Sequence, residues 1–373
     1  MSHLAPVQVY GQFGNYWSND TVSRGIAAGL SACGVPVQIW DREGKYEGIY
    51  IYPDSAPIET GMGNGGAGVY VGYPHFSRDL LRGHSPQIGF FIAESSVIPR
   101  EWGLAAAECD LVVVPSYWTR AAYVNAGVPA QQVMVVPHGL HPCYREGYNC
   151  KQLLQGRAYN FLHIAGARDF IARKGTPTLI EVFAKVAREE AERTEEFAQP
   201  WNLKLTIRTP PSPEIDQLVN RFDPDHQYII LDYHDAPLPP EEMTQYLGRG
   251  WAGLIQPSRA EAFGMCPVEA RACSVPVILT AGHGHTMHVE HTVDEVVEMG
   301  AEASIKVNGI PGGQAPTFTA VSLEAALRNC LGNENHEGHI ERAIGLVDGY
   351  YNRWAWPKLM LPVAAWLRKG RRR

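Results

Sequence analysis

Two short apolar runs enclose a polar loop and a helical segment in residues 251–280, WAGLIQPSRAEAFGMCPVEARACSVPVILT. Neither run alternates with polar residues, which is typical of parallel strands covered on both faces. Pro257 ends the first run, Gly264 permits a close backbone approach, and Pro267 suits the first turn of a helix, where its missing N–H costs nothing. The sequence therefore predicts a strand, a tight loop, a helix that ends near residue 274, and a second strand.

The start of the predicted helix has the features of a phosphate site. Free N–H groups around Met265 and Cys266 would point beyond the carboxyl end of the first strand, where a helix N-terminus attracts phosphate. Glu261 in the loop and Glu269 in the first helical turn would flank that phosphate. Because ionised carboxylates accept hydrogen bonds, this pairing fits a ligand that also carries hydroxyl groups. A sugar attached to a nucleoside diphosphate supplies both phosphate and hydroxyls.

Residues 257–278 resemble the E-x7-E signature of the family 4 glycosyltransferases, which are retaining enzymes of the GT-B architecture. Glu261 and Glu269 occupy its two glutamate positions. The chain departs from the pattern at Arg271, where a hydrophobic residue is common, and at Ser274, where glycine usually ends the helix. The resemblance implies an α/β fold of the GT-B class, with two doubly wound Rossmann-like domains that face a central cleft.

The length of the chain and its polar segments predict the domain limits. At 373 residues the chain can bury two separate cores. The segment 144–156 is polar and lacks apolar periodicity, so we interpret it as a linker. With the resemblance, this predicts an acceptor-binding domain over 1–155, a nucleotide-sugar-binding domain over 156–350, and over 351–373 a C-terminal helix that crosses back to the first domain.

A basic motif lies between a predicted strand and a predicted helix of the second domain, in GARDFIARKG at 166–175. Family 4 enzymes carry an arginine and a lysine before a glycine at this point, which Arg173, Lys174 and Gly175 match. Two cations that face a helix N-terminus can neutralise a leaving diphosphate. A solvated basic turn is the alternative interpretation.

The predicted first domain offers fewer candidate site residues. The resemblance implies a glycine-bearing loop near the donor phosphate, to which Gly14 corresponds loosely, and a plain turn is the alternative. Where many family members carry a histidine near the reacting sugar, this chain offers Glu94 or Ser95, although Glu94 could instead cap a helix. A GxGxxG string at 63–68 precedes strand-like rather than helical sequence, so we interpret it as a mobile loop and not as a dinucleotide site.

Four histidines lie in the nine residues 283–291, a density that is typical of zinc ligands. His288 and His291 have helical spacing, but no cysteine or aspartate completes the set at a convincing distance. GT-B enzymes do not generally hold a catalytic metal, and family members often carry a glycine and histidine loop beside the donor. We therefore predict no metal and no cofactor, and we assign His285 to the donor site.

Composition restricts the partners and the compartment. The net charge is -7 although the tail 368–373 carries five positive charges, which disfavours a protein body that binds duplex nucleic acid. Seven scattered cysteines without a CxxC pair fit a reducing compartment. The sequence has no secretory signal and no apolar run of the ~18 residues that a membrane span needs. These features predict a soluble, cytoplasmic protein.

The resemblance implies transfer of a hexose from a UDP- or GDP-type donor to an acceptor hydroxyl, with retention at the anomeric carbon. Glu269 would bind the ribose hydroxyls, and Glu261 those of the transferred sugar. The expected acceptor is a small molecule or a glycan. Two alternatives stay open: an enzyme that glycosylates modified nucleic-acid bases, and a catalytically idle nucleotide-sugar-binding protein. A nicotinamide oxidoreductase would need a strand, GxGxxG and a helix in that order, which the sequence lacks.

Overall fold

The computed structural model describes residues 6–14, 18–41, 59–60, 66–145, 158–166, 170–195, 202–291, 294–307, 310–331 and 335–370. The chain forms two compact units, one of residues 1–145 with 351–373 and the other of residues 146–350. Each unit has its own sheet and its own apolar core. The predicted domain limit at residue 155 and most of the predicted linker lie outside the described residues, as do residues 63–65 of the GxGxxG string.

The first unit contains a parallel sheet in which the described residues form seven strands, in the order β3-β2-β1-β4-β5-β6-β7. The strands are Val7–Gly11 (β1), Val37–Asp41 (β2), Glu59–Thr60 (β3), Gly68–Gly72 (β4), Gln87–Phe91 (β5), Leu111–Val114 (β6) and Val133–Val135 (β7). The helices between them are Ser18–Ala32 (α1), Ser77–Leu80 (α2), Arg100–Ala107 (α3) and Tyr117–Asn125 (α4). Among the described residues, helices separate β1 from β2 and each pair of successive strands from β4 to β7.

The second unit contains a parallel sheet of six strands among the described residues, in the order β10-β9-β8-β11-β12-β13. The strands are Ala158–Ile164 (β8), Asn202–Thr209 (β9), Ile229–Tyr233 (β10), Gly253–Gln256 (β11), Val277–Thr280 (β12) and Glu295–Val297 (β13). The helices are Thr176–Glu195 (α5), Pro213–Phe222 (α6), Pro240–Leu247 (α7), Met265–Ala272 (α8), Ala320–Leu331 (α9) and Asn335–Trp354 (α10). An antiparallel pair, Glu302–Val307 (β14) and Ile310–Pro316 (β15), completes the unit.

The strand order locates the ligand edge of the second sheet. The chain runs outward from β8 to β9 and β10, and then returns to the other side of β8 with β11. The connections after β8 and β11 therefore lead to opposite faces of the sheet, and the point where the strand order reverses is where ligands bind in open α/β sheets. The predicted basic loop follows β8, and the predicted acidic loop follows β11.

The last helix, Trp356–Gly370 (α11), packs in the core of the first unit, against α1. A Cβ at Gly25 of α1 would lie 2.0 Å from Cε2 of Trp356, and one at Gly29 would lie 2.6 Å from Cγ of Met360. Glycine is therefore needed at both positions for the close approach. The break before this helix falls at residue 355, and Pro357 is accommodated in the first turn of the new helix.

Among the described residues, no helix combines the length and the apolar character that a bilayer span requires.

Candidate functional site

The loops after β8 and β11 contact each other at the carboxyl edge of the second sheet. The N–H of Arg259 donates to the carbonyl of Arg173 at 2.7 Å. Gly175 has a φ of +74°, and a Cβ at this position would lie 2.2 Å from the carbonyl oxygen of Pro257. Only glycine combines that backbone conformation with so close an approach. The two predicted motifs are thus brought into one site.

Arg173, Lys174 and Glu261 form a buried charge cluster in this site. Nη1 of Arg173 lies 3.0 Å and Nζ of Lys174 lies 2.6 Å from Oε1 of Glu261. The side chains of the two cations are only 6% and 14% exposed, so the alternative of a solvated basic turn is wrong. Two cations around one carboxylate leave an excess of positive charge, which suits an anionic ligand.

Glu261 is ionised and keeps one oxygen available. Burial acts to raise its pKa, but the attraction of Arg173 and Lys174 outweighs burial and holds the pKa of Glu261 well below its ordinary value. The hydroxyl of Ser258 also donates to Oε1, at 3.1 Å. All three contacts fall on Oε1, so within the described ranges Oε2 has no hydrogen-bond partner.

Helix α8 begins at Met265, directly after Gly264, whose φ is +88°. This start lies two residues before Pro267, so Glu269 falls in the second turn, and its predicted place in the first turn is wrong. The reason is that proline is tolerated at any of the first-turn positions whose N–H has no partner within the helix. Cys266, next to Met265, stays a thiol because burial raises its pKa to about 12.

Glu269 is a half-buried acid with no hydrogen bond or ion pair to any side chain that the structure describes. Burial raises its pKa to about 7, against the opposing attraction of Lys174. A carboxylate placed in this way gains hydrogen bonds when a ligand brings O–H or N–H donors to it.

Three of the four histidines between β12 and β13 donate a ring N–H to a main-chain carbonyl. The distances are 2.9 Å from His283 to Ser258, 2.9 Å from His285 to Thr280, and 2.8 Å from His288 to Phe263. Burial lowers the pKa of His283 to about 4 and that of His288 to about 3, so both rings are neutral. In the parts of the chain with described structure, no group of three or more His, Cys, Asp or Glu could hold a metal ion.

His285 presents a hydrogen-bond acceptor beside the start of α8. Since its Nδ1 carries the proton that Thr280 accepts, Nε2 has a lone pair, and this buried atom has no partner among the described residues. A Cβ at Gly264 would lie 2.4 Å from that Nε2. Burial and the neighbouring His283 hold the pKa of His285 well below its ordinary value. The neutral ring therefore suits an O–H or N–H of a ligand and not an anion.

The remaining predicted site residues, Gly14 and Glu94, belong to the first unit. Gly14 lies in a half-buried bend after β1. Glu94 follows β5 and accepts a hydrogen bond from the hydroxyl of Tyr73 at 3.2 Å. It does not cap a helix, because α3 begins six residues later with Pro99 at its N-cap. Ser95, the alternative candidate, bonds to the main chain of Val97 instead.

The contacts of Arg271 and the backbone conformation of Ser274 could not be predicted from the sequence, although both residues depart from the family pattern. Arg271 is fully buried and forms a two-point ion pair with Asp294, with distances of 2.8 and 2.5 Å. Ser274 has a φ of +62°, the left-handed conformation that glycine adopts more readily. A charged residue in an otherwise apolar helical face was the signal for the ion pair, but it did not indicate which acid is the partner.

Solved structures share this fold over nearly the whole chain. HepE of Anabaena, in complex with UDP and glucose, has a TM-score of 0.62 and 14% identity, covering 98% of this chain and 99% of that one. Sucrose-phosphate synthase from Thermosynechococcus elongatus has a TM-score of 0.64 and 15% identity, covering 98% of both chains. WaaG, a glycosyltransferase involved in lipopolysaccharide biosynthesis, has a TM-score of 0.62 and 15% identity, covering 97% of this chain and 99% of that one.

These likenesses confirm the predicted GT-B fold. No curated protein sequence matches the chain. Residues 120–356 match the family model described as Family 4 Glycosyltransferase in conflict systems, which spans more than half of the 373 residues. The chain therefore belongs to that glycosyltransferase family, and it is a glycosyltransferase.

Proposed function

We propose that this glycosyltransferase binds a UDP- or GDP-type sugar at the carboxyl ends of β8 and β11 and transfers the sugar to an acceptor hydroxyl with retention of configuration. One observation carries the proposal. The site combines an excess of cations with acceptors that have no partner within the described residues: Oε2 of Glu261, the carboxylate of Glu269 and Nε2 of His285. A nucleoside diphosphate joined to a sugar presents the anion and the hydroxyls that these groups require.

The cations are assigned to the diphosphate. As the bond from the sugar to the β-phosphate breaks, negative charge accumulates on the leaving nucleoside diphosphate. Lys174 and Arg173 already lie within hydrogen-bond distance of a carboxylate oxygen, so they are ordered before a ligand arrives. Such ordered donors stabilise developing charge without reorganisation. In this proposal they neutralise the diphosphate, and no metal ion is needed there.

The carboxylates are assigned to hydroxyl groups. Glu269 would accept from the ribose, and Oε2 of Glu261 from the transferred sugar, while the main-chain amides of Gly264 and Met265 face the phosphates. His285 would accept a further hydroxyl, since its Nε2 lies beside Gly264. No nucleophile of the protein is required if a phosphate oxygen of the donor deprotonates the acceptor hydroxyl.

The acceptor is assigned to the first unit. There the ring of Tyr73 lies 4.9 Å from that of Trp102, and the Tyr73 hydroxyl donates to Glu94. Aromatic rings with a carboxylate beside them can stack on a sugar ring and bind its hydroxyls. Residues 1–155, a stretch that leaves out the basic C-terminal segment of this unit, carry nine Lys and Arg against twelve Asp and Glu, so this stretch lacks the positive charge of a nucleic-acid surface. We therefore favour a small-molecule or glycan acceptor.

A panel of UDP- and GDP-sugars, measured by thermal shift and by donor hydrolysis, tests the donor assignment. Because a ligand that binds only the folded state raises the melting temperature, one nucleotide class should give a concentration-dependent increase. Hydrolysis of the same donor should release free sugar in the α-configuration from an α-linked donor. No increase with any nucleotide sugar, or release of the opposite anomer, would contradict the donor site or the retention, respectively.

A further inference from the structure

Arg271 of α8 is a fully buried cation whose position requires explanation. Leaving a buried charge without a partner is strongly destabilising. Here Nε and Nη2 of Arg271 donate to the two carboxylate oxygens of Asp294 at 2.8 and 2.5 Å. Oδ2 of Asp294 also accepts the N–H of Glu290 at 2.7 Å. The pair is thus held rigidly, which leaves Nη1 of Arg271 in a defined place.

That Nη1 lies 3.1 Å from Nδ1 of His288. A guanidinium carries only donors, so Nδ1 must accept, and a neutral imidazole then carries its proton on Nε2. Nε2 of His288 lies 2.8 Å from the carbonyl oxygen of Phe263, to which it donates. Asp294, Arg271, His288 and the Phe263 carbonyl therefore form one directed chain of hydrogen bonds, in which the arginine selects the histidine tautomer.

The chain of hydrogen bonds ends at the peptide bond between Phe263 and Gly264, which precedes α8. A trans peptide is planar, and its N–H points opposite to its C=O. With the Phe263 carbonyl directed at His288, the N–H of Gly264 must point away from it. Gly264 is the N-cap of α8, with a φ of +88°, and a Cβ there would lie 3.5 Å from Nε2 of His288 and 2.4 Å from Nε2 of His285. His288 thus holds this peptide at its carbonyl, opposite the N–H, and the ring of His285 packs against the same glycine.

We infer that Arg271 and His288 are positioning residues, and that their hydrogen-bond chain from Asp294 orients the Phe263–Gly264 peptide so that the Gly264 N–H is directed at the diphosphate of the donor. The inference rests on the proposed donor site. Neither side chain touches the donor. They act through the main chain, and a ready-made orientation of this amide avoids reorganisation during the reaction.

Two substitutions of His288 distinguish its contact with Arg271 from its contact with the Phe263 carbonyl. Both leave the Arg271–Asp294 pair intact. In His288→Asn the amide occupies the place of Nδ1, so it can accept from Arg271 but cannot reach the Phe263 carbonyl. In His288→Gln the amide extends to the place of Nε2 and can still donate to that carbonyl. A purely structural role would make the two variants equally impaired, whereas the inference requires Gln to rescue what Asn loses.

The first measurement is independent of any ligand: the nitrogen chemical shifts of His288 in protein with 15N-labelled histidine. We expect a protonated Nε2 and a bare Nδ1, and the opposite tautomer would overturn the inference. The second is donor hydrolysis. We expect His288→Asn to lower kcat by about 10-fold or more, short of the ~10²–10³-fold cost of deleting such a donor outright, with KM changed much less and with His288→Gln near wild type.

Equal kcat values in wild type and His288→Asn would overturn the inference. So would a loss in both variants that follows their melting temperatures. If wild-type protein binds no nucleotide sugar, the proposed function and the role of the Gly264 amide both fall, and the tautomer then shows separately whether the hydrogen-bond chain exists.

Discussion

The carboxyl edges of the two sheets use their polar side chains differently. In the second unit, Glu261, Glu269 and His285 each keep an acceptor atom without a partner in the described residues, next to an excess of cations. In the first unit, Glu94 accepts from Tyr73, and Ser95 bonds to the nearby main chain. The carboxyl edge of the second sheet (the second edge) therefore suits a polar, anionic ligand. At the carboxyl edge of the first sheet (the first edge), Glu94 and Ser95 already form hydrogen bonds with groups of the same unit. In the proposed function, this contrast means that polar groups specify the donor site more closely than they specify the acceptor site.

The strongest test of the contrast removes the cations of the second edge. We expect Arg173→Ala with Lys174→Ala to lower turnover by about 10²-fold or more, because both groups stabilise the charge that develops on the diphosphate. The measurement is steady-state transfer or donor hydrolysis at saturating donor. A matched control, Arg78→Ala with Arg82→Ala, removes two exposed cations of the first unit and should leave turnover unchanged. Equal losses in the two double variants would show that net charge, and not the site, is responsible.

A second variant tests Glu269, the acid of the second edge that has no side-chain partner among the described residues. Glu269→Gln keeps the shape of the side chain but removes its charge. Since a hydrogen bond to a charged group is worth about 1.5–3 kcal/mol, we expect donor affinity to fall by roughly 10- to 100-fold. Calorimetric titration with the nucleoside diphosphate measures this change, and the melting temperature of the free variant checks its fold. Wild-type affinity in a folded variant would remove Glu269 from the site.

The pKa of Glu269, raised by burial to about 7, predicts a pH dependence of donor binding. The ionised carboxylate is the better acceptor, so donor affinity should increase as pH rises through 7 and level off above it. Below 7 the affinity should decrease as Glu269 takes up its proton and should level off near the affinity of Glu269→Gln. Titrations across this range in wild type and Glu269→Gln make the test, because the variant should lack this step.

The raised pKa of Glu269 affects the stability of the free protein in the opposite direction to donor binding. Between its ordinary value of 4.5 and about 7, Glu269 holds a proton in the folded state that it has released in the unfolded state. Its contribution to the free energy of unfolding therefore falls as pH rises through this window. Melting curves of Glu269→Gln should lose that part of the wild-type slope, and parallel slopes would contradict the assignment.

A variant of the first edge should separate transfer from donor binding. We expect Glu94→Gln to lower transfer to the acceptor by about 10-fold, the effect of one lost charged hydrogen bond, and to leave donor hydrolysis and nucleotide affinity unchanged. Measuring both reactions on one preparation makes the comparison internal. A parallel decrease in donor hydrolysis would contradict the division of roles between the two edges.

The smallest expected effect concerns two serines, Ser258 and Ser95, each of which lies in the loop that follows a strand. Ser258→Ala removes a hydrogen bond to the ionised Glu261, but Arg173 and Lys174 still hold that carboxylate, so donor affinity should fall by only a few-fold. Ser95→Ala removes a local bond to Val97 and should change only the melting temperature. A larger decrease in donor affinity for Ser95→Ala than for Ser258→Ala would contradict the contrast between the two edges.

The sequence predicted the second edge well because its signals are local. The strand, loop, helix and strand around Glu261 lie within two residues of their predicted limits, since proline and glycine act on adjacent residues. The ion pair of Arg271 joins residues 23 apart, and no local pattern indicates which acid folds against it. The tautomer of His288 depends in turn on that arginine. The hydrogen bond from Tyr73 to Glu94 likewise spans 21 residues, so the first edge was the harder to predict.

A crystal structure with the nucleoside diphosphate bound tests the central claim most directly. The account predicts that the diphosphate lies at the start of α8, within hydrogen-bond distance of Arg173 or Lys174, with the ribose hydroxyls on Glu269. A nucleotide bound away from Gly264, with Glu269 left without a ligand contact, would contradict it.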